Sequence, residues 1–150
     1  MRVLGIDLGE KRVGLAISDP MGMIASPYDV WDGRDRDGLP GRIRRLVEER
    51  SIGTVVVGLP NRTDRLGGEK AEACEAFAQQ LRERLSVPVE MMDERLTTVM
   101  AHQAMREGGM KEKKRRQSVD KIAAVIILQS WLDKKSRPEI LTLRNGIFRK

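Results

Sequence analysis

Val3-Leu-Gly-Ile-Asp-Leu-Gly-Glu-Lys-Arg-Val-Gly-Leu-Ala-Ile-Ser18 holds two short apolar runs on either side of the polar turn Gly9-Glu10-Lys11-Arg12. Such runs, joined across a short turn, predict an antiparallel hairpin of Val3–Leu8 with Val13–Ser18. One residue in it is out of place. Asp7 stands among Val3, Leu4, Ile6 and Leu8, where a carboxylate taken out of water is costly unless it is paired, hydrogen-bonded or metal-bound. A salt bridge to Lys11, Arg12 or Arg95, or a cap on the hairpin turn, meets that need. A metal ligand at the carboxyl edge of a central strand meets it too, where α/β sheets place their sites.

Outward from the hairpin, Ser26 to Trp31 reads as a third strand ending in Asp32-Gly33. Leu39, Ile43, Leu46 and Val47 recur at helical spacing, and Pro40-Gly41 predicts that the regular helix starts after them. Thr54-Val-Val-Val-Gly58 has the β-branched content of a strand buried on both faces. Ala73, Phe77, Leu81 and Leu85 mark one face of a long helix, and Val87 to Met92 a fifth strand. Thr97 is the candidate N-cap of a helix running to Glu107, ended by Gly108-Gly109. A polar basic stretch, Met110 to Gln117, precedes a last helix from Ser118 to about Lys135, largely buried through Ile122, Ala123, Val125, Ile126, Leu128, Trp131 and Leu132. The order β-β-β-α-β-α-β predicts an α/β fold whose first three strands are antiparallel. Without an internal repeat or linker, residues 1–150 read as one domain, 136–150 being a tail.

Scarcity narrows the chemistry. The chain of 150 residues has one cysteine, Cys74, and one histidine, His102, which excludes a disulfide framework, a Cys/His zinc site and a Ser-His-Asp triad. Cys74, beside Ala73 on a helix, reads as a small packing residue. Five scattered aromatics do not build a base-stacking platform. A charge interrupts the amino terminus before a signal-peptide core could form, and the apolar run Ile122–Leu128 is too short to span a bilayer, so a cytoplasmic protein without membrane contact is expected.

Charge is distributed unevenly. Of the formal +6, residues 1–60 hold 9 basic and 9 acidic side chains, residues 61–110 hold 7 and 9, and residues 111–150 hold 12 and 4. Lys111-Glu-Lys-Lys-Arg-Arg116 concentrates that excess and is either a solvated loop or a phosphate-backbone contact through Lys111, Lys113, Lys114, Arg115 and Arg116.

Two further acidic positions join Asp7. Asp93-Glu94 ends the fifth strand, and adjacent strand residues point to opposite sides, so one of the pair can face a site. Both also suit the approach to a helix N-terminus. Asp120 falls in the first turn of the last helix, in phase with Ala124, Ile127 and Trp131, so it heads the inward face; an acid there also suits the helix dipole. The small residues Ala123 and Ala124 allow close approach to the sheet. Carboxylates gathered at one sheet edge repel unless a hard cation, Mg²⁺ or Mn²⁺, relieves them, and such ions serve phosphodiester hydrolysis.

Gly5-Ile-Asp-Leu-Gly9 with Arg12-Val-Gly-Leu-Ala16, Val57-Gly-Leu-Pro60, Asp93-Glu-Arg-Leu-Thr-Thr98, and Asp120-Lys-Ile-Ala-Ala124 with Ile127-Leu-Gln-Ser-Trp131 resemble, in order and spacing, the YqgF family of RuvX-type Holliday-junction resolvases. The resemblance covers nearly the whole chain. It implies a ribonuclease H-like fold: a five-stranded mixed sheet, first three strands antiparallel, with helices on both faces. It implies Asp7, Glu94 and Asp120 as catalytic acids and ligands of Mg²⁺ or Mn²⁺, with Arg95, Thr97 and Thr98 near the phosphate. The loop Asn61-Arg-Thr-Asp-Arg65-Leu-Gly-Gly68 departs from the family pattern, which has an apolar residue before the Asn and an acidic-Gly pair after it.

The substrates implied are pre-16S rRNA of the ribosome precursor, trimmed at its 5′ end in ribosome biogenesis, and four-way DNA junctions, the latter favouring a homodimer over a monomer. A non-catalytic RNA-binding role in ribosome assembly is the reading from another class. An actin-like ATPase or sugar kinase needs a second lobe for which 150 residues leave no room.

Overall fold

The computed structural model describes residues 1–60, 65–93 and 112–136. Five strands, β1 (Arg2–Leu8), β2 (Arg12–Ser18), β3 (Ala25–Asp32), β4 (Ile52–Leu59) and β5 (Val89–Asp93), form one sheet in the order β3-β2-β1-β4-β5. β1 pairs antiparallel with β2, and β2 with β3, whereas β4 lies parallel to both β1 and β5. The helices among the described residues are α1 (Leu39–Glu49), α2 (Arg65–Arg84) and α3 (Glu112–Ser136). None is long and apolar enough to cross a membrane.

Period-two alternation along β1 feeds two cores. Leu4 and Ile6 join Val13, Leu15, Val55 and Val57 beneath Ile43 and Leu46 of α1 and Phe77 and Leu81 of α2. Val3, Ala16 and Val56 face the other way, against Ala124, Ile127, Leu128 and Trp131 of α3. Helices therefore cover both faces, as the family resemblance implies.

Several boundaries differ from the sequence reading. α1 begins at Leu39 and takes Pro40 into its first turn, where a missing N–H is harmless. The buried stripe of α2 runs through Ala71, Cys74, Phe77, Ala78 and Leu81, so Cys74 packs in the core, and Ala73, expected on that stripe, is exposed. β5 starts at Val89 and includes Asp93; Pro88, just ahead of it, accepts the Val55 N–H at 2.9 Å through its carbonyl.

The largest correction concerns α3, which begins at Glu112, not Ser118. Glu112-Lys-Lys-Arg-Arg-Gln117 contains only strong helix formers, and their polarity resembles a loop while their propensity continues the helix. The basic run from Lys113 to Arg116 is therefore helical, and Ser118 is an interior residue, not a cap. Ile122, Val125 and Ile126 are half-buried, not fully covered. The expected helix from Thr97 to Glu107, the loop 61–64 and the tail beyond 136 lie outside the described residues.

Gly5 explains how closely α3 approaches. A Cβ on it would lie 2.7 Å from the Leu128 Cβ and 3.2 Å from the Ala124 carbonyl oxygen, so only a glycine lets the helix rest on the strand. Gln129 fixes the direction. It accepts the Ala25 N–H at 2.8 Å and donates to the Met23 carbonyl at 3.0 Å, anchoring the carboxyl half of α3 beside the start of β3. Since β3 starts opposite the end of β2, which lies beside the start of β1, α3 runs antiparallel to β1.

Candidate active site

Asp7 lies one residue before the end of β1, half-buried, at the edge where the parallel strands β1, β4 and β5 all finish. It has the parity of Val3 and Gly5, hence the α3 face. Its partner on β2 is Gly14, and one residue beyond the Ile6–Val57 pair β4 presents Gly58. Neighbouring strands lie about 4.8 Å away, so Asp7 has no side chain beside it at either position, and both glycines are buried. That arrangement was not read from the sequence; the glycines in Arg12-Val-Gly14 and Val57-Gly58 are its only signal there.

Asp120 belongs to α3, one turn before Ala124, whose backbone rests on Gly5. Because α3 runs antiparallel to β1, one turn back along the helix, about 6 Å, matches two residues forward along the strand, about 6.6 Å, from Gly5 to Asp7. Ala124, Ile127 and Trp131, one, two and three turns further along α3, are buried. Position 120 is eight residues into the helix, beyond the turn where its dipole stabilises an acid, so that explanation of Asp120 falls away.

The choice within Asp93-Glu94 turns on register. Val55 pairs with Val89, Val57 with Met91 and Leu59 with Asp93; Val89 and Met91 pack on the α1–α2 core, while Met92 packs on the α3 core. Asp93 has the parity of Met91, so it faces away from Asp7. Glu94, Arg95, Thr97, Thr98 and Lys111 lie outside the described residues. Among the described residues, no three His, Cys, Asp or Glu side chains gather at metal-binding distance; of the three acids expected as ligands, only Asp7 has a described side chain.

Basic residues rim the edge. A cleft of about 480 Å³ is lined by Lys11 and Arg12 of the β1–β2 turn, Arg34, Lys121 of α3, and the Trp31 and Asp32 end of β3. Arg34 pairs with Asp32 at 3.1 Å, and its backbone N–H and guanidinium hold that carboxyl below the usual range. Trp31 is fixed by its Nε1–H donating to Asp29 at 3.1 Å and by the Arg42 guanidinium 4.3 Å from its ring centre. The sequence offers Lys11 and Arg12 as partners for Asp7. Lys121 and Arg34 enter the rim only through the fold.

A five-stranded sheet of this order, with a carboxylate on its central strand where the antiparallel and parallel halves meet, defines the ribonuclease H-like fold of the resolvase type. Thermus thermophilus RuvC in complex with a Holliday junction superposes with a TM-score of 0.57 at 17% identity, covering 91% of this chain and 96% of that one. The yeast mitochondrial Holliday junction resolvase gives 0.56 at 13%, covering 92% and 80%. At such identities the likeness concerns the fold alone.

The chain belongs to the RuvX family, described as Holliday junction resolvases, whose model matches residues 1–134. A protein of Pelotomaculum thermopropionicum is 44% identical over 139 residues, covering 92% of this chain and 90% of its own. One of Bacillus cereus is 44% identical over 137 residues, covering 90% of this chain and 100% of its own. Both bear the name "Putative pre-16S rRNA nuclease".

Proposed function

We propose that this protein is a divalent-metal-dependent nuclease that cuts phosphodiester bonds in the 5′ leader of pre-16S rRNA, with Asp7, Glu94 and Asp120 as its acids. The observation that carries the reading is the placement of Asp7: a half-buried carboxylate at the carboxyl end of the central strand, flanked by glycines, beneath a helix held in backbone contact by Gly5. A carboxylate oxygen donor at this sheet edge suits a hard cation such as Mg²⁺ or Mn²⁺. When bound, the cation supplies neutralisation of the charge that develops on the attacking and leaving oxygens.

The chain's own residues orient the substrate. Asp7 and Asp120 supply carboxylates from two elements locked together at Gly5, and Glu94 is favoured over Asp93 because strand alternation turns Asp93 away. Lys11, Arg12, Arg34 and Lys121 hold backbone phosphates beside the acids, positioning the strand without reading its bases. The names of the relatives favour rRNA over four-way DNA as substrate.

Purified protein with Mn²⁺ is expected to cut a pre-16S 5′-leader RNA, and chelation with EDTA to stop it. Asp7→Asn is expected to abolish cutting while circular dichroism and RNA binding persist; an unchanged rate refutes the assignment. Symmetric nicking of an immobile four-way junction, with leader RNA left intact, overturns the rRNA reading in favour of resolution.

A further inference from the structure

On the α1–α2 side of the same edge, a second cleft of about 490 Å³ opens between the β1–β2 turn, Arg36 and α2. Arg36 precedes α1 and reaches 27 residues back to donate its Nη2–H to the Gly9 carbonyl, which fixes the guanidinium in the cleft wall. Its Nη1 is buried and has no hydrogen-bond partner among the described residues. A buried donor left unmade is costly, and with Nη1 enclosed and Nη2 on Gly9 the anchored guanidinium offers an oxyanion in the cleft a permanent, fixed positive charge in its wall. Lys11, Arg12 and Lys70 line the cleft with it, against Glu10 and Glu69, so cations outnumber acids four to two.

We propose that this cleft is a second phosphate subsite, in which Arg36 grips a backbone phosphate of the nucleic acid next to the one held at Asp7. Gly9 is two residues beyond Asp7, about 7 Å along the chain, so an anion on Arg36 belongs to the same strand within a nucleotide or so. Lys11 and Arg12 line this cleft and the one on the far side of the hairpin tip, giving a continuous basic path around the turn. Phosphates held on both flanks bend the strand across the β1–β2 turn and present the bond at Asp7. The subsite rests on the nuclease reading above, yet it fails separately from it.

The test is fluorescence anisotropy of a labelled leader RNA with the full chain, in Ca²⁺, over a range of KCl concentrations. Arg36→Gln is expected to raise Kd about tenfold and to flatten the dependence of log Kd on log salt by about 0.7, the effect of leaving one single-strand phosphate without its cation. Arg36→Lys keeps the charge but not the planar group anchored on Gly9 and is expected to recover only part of the affinity. Since Arg36 also steadies Gly9, Lys70→Glu, on an exposed residue, tests the subsite in a variant expected to keep its fold, and is expected to weaken binding by a similar factor. Unchanged Kd and slope in Lys70→Glu and in a folded Arg36→Gln overturn the subsite, while tight binding and cutting by the wild type leave the nuclease reading standing. Wild-type protein that neither binds nor cuts the RNA refutes that reading first. Inorganic phosphate, followed through the Gly9 and Glu10 amide signals, separates the sources: a cleft that binds free phosphate while Arg36→Gln leaves RNA affinity unchanged is an anion site unrelated to the strand.

Discussion

Substituting Gly5 by Ala places a methyl group 2.7 Å from the Leu128 Cβ, where carbon atoms rest comfortably at about 3.5–4.0 Å. Leu128 is fully buried and the Ala124 carbonyl stands 3.2 Å away on the same side, so the clash cannot be relieved by swinging a flexible side-chain end. α3 must retreat by about 1 Å, or Leu128 must leave its rotamer. Overpacking of this kind costs about 1–3 kcal/mol. Because α3 carries Asp120 over β1, a shift of about 1 Å also separates the acids, and misplacement on that scale lowers rates by up to about 100-fold. Urea denaturation and single-turnover cutting of leader RNA, measured on Gly5→Ala, read the two effects. Leu128→Ala in the wild type is expected to lose about 2–5 kcal/mol, and less in the Gly5→Ala background, where it removes the clash. Wild-type stability and rate in Gly5→Ala, or simple additivity of the two substitutions, refutes the close-contact reasoning.

Replacing Lys113, Lys114, Arg115 and Arg116 by Ala is expected to flatten the salt dependence of RNA binding by about 0.7 for each phosphate left without its cation; an unaltered slope identifies the run as a solvated helix end. Asp19 accepts the backbone N–H groups of Ile24 and Met23 at 2.8 Å and of Met21 at 3.1 Å, which holds its carboxyl below the ordinary value. A lowered folded-state value means that this turn keeps its stabilisation above a carboxylate's usual midpoint, about 3.9, and loses it as pH falls through the lower one. The amide signals of Met21, Met23 and Ile24 are therefore expected to hold steady on acidification to about pH 4 and to move only below it; movement at or above the usual midpoint contradicts the assignment.

Much of the fold was legible because local periodicity reports it. The runs Val3–Leu8 and Val13–Ser18 carry the hairpin, Thr54–Gly58 the buried parallel strand, and Asp7 declares itself by its cost among apolar neighbours. Propensity and polarity disagree at Glu112–Gln117, where Lys and Arg look like a loop and behave as helix. The one-step error on α2, Ala73 for Cys74, has a similar cause: a helical stripe is wide enough for two phases to fit the same apolar residues.

The sequence by itself determined which residues alternate, which acid was anomalous and where the positive charge accumulates, since all three are properties of near neighbours in the chain. It could say that neighbours such as Asp93 and Glu94 alternate, but not whether Asp93 shares a side with Asp7. That needed the pairing of β5 with β4 and of β4 with β1, because alternation fixes relative orientation and only packing against α1–α2 or α3 makes it absolute. Only the tertiary structure could bring Arg36 to Gly9, lay α3 on Gly5 and set Gly14 and Gly58 beside Asp7, since these contacts join elements whose separation in the chain carries no periodic signal.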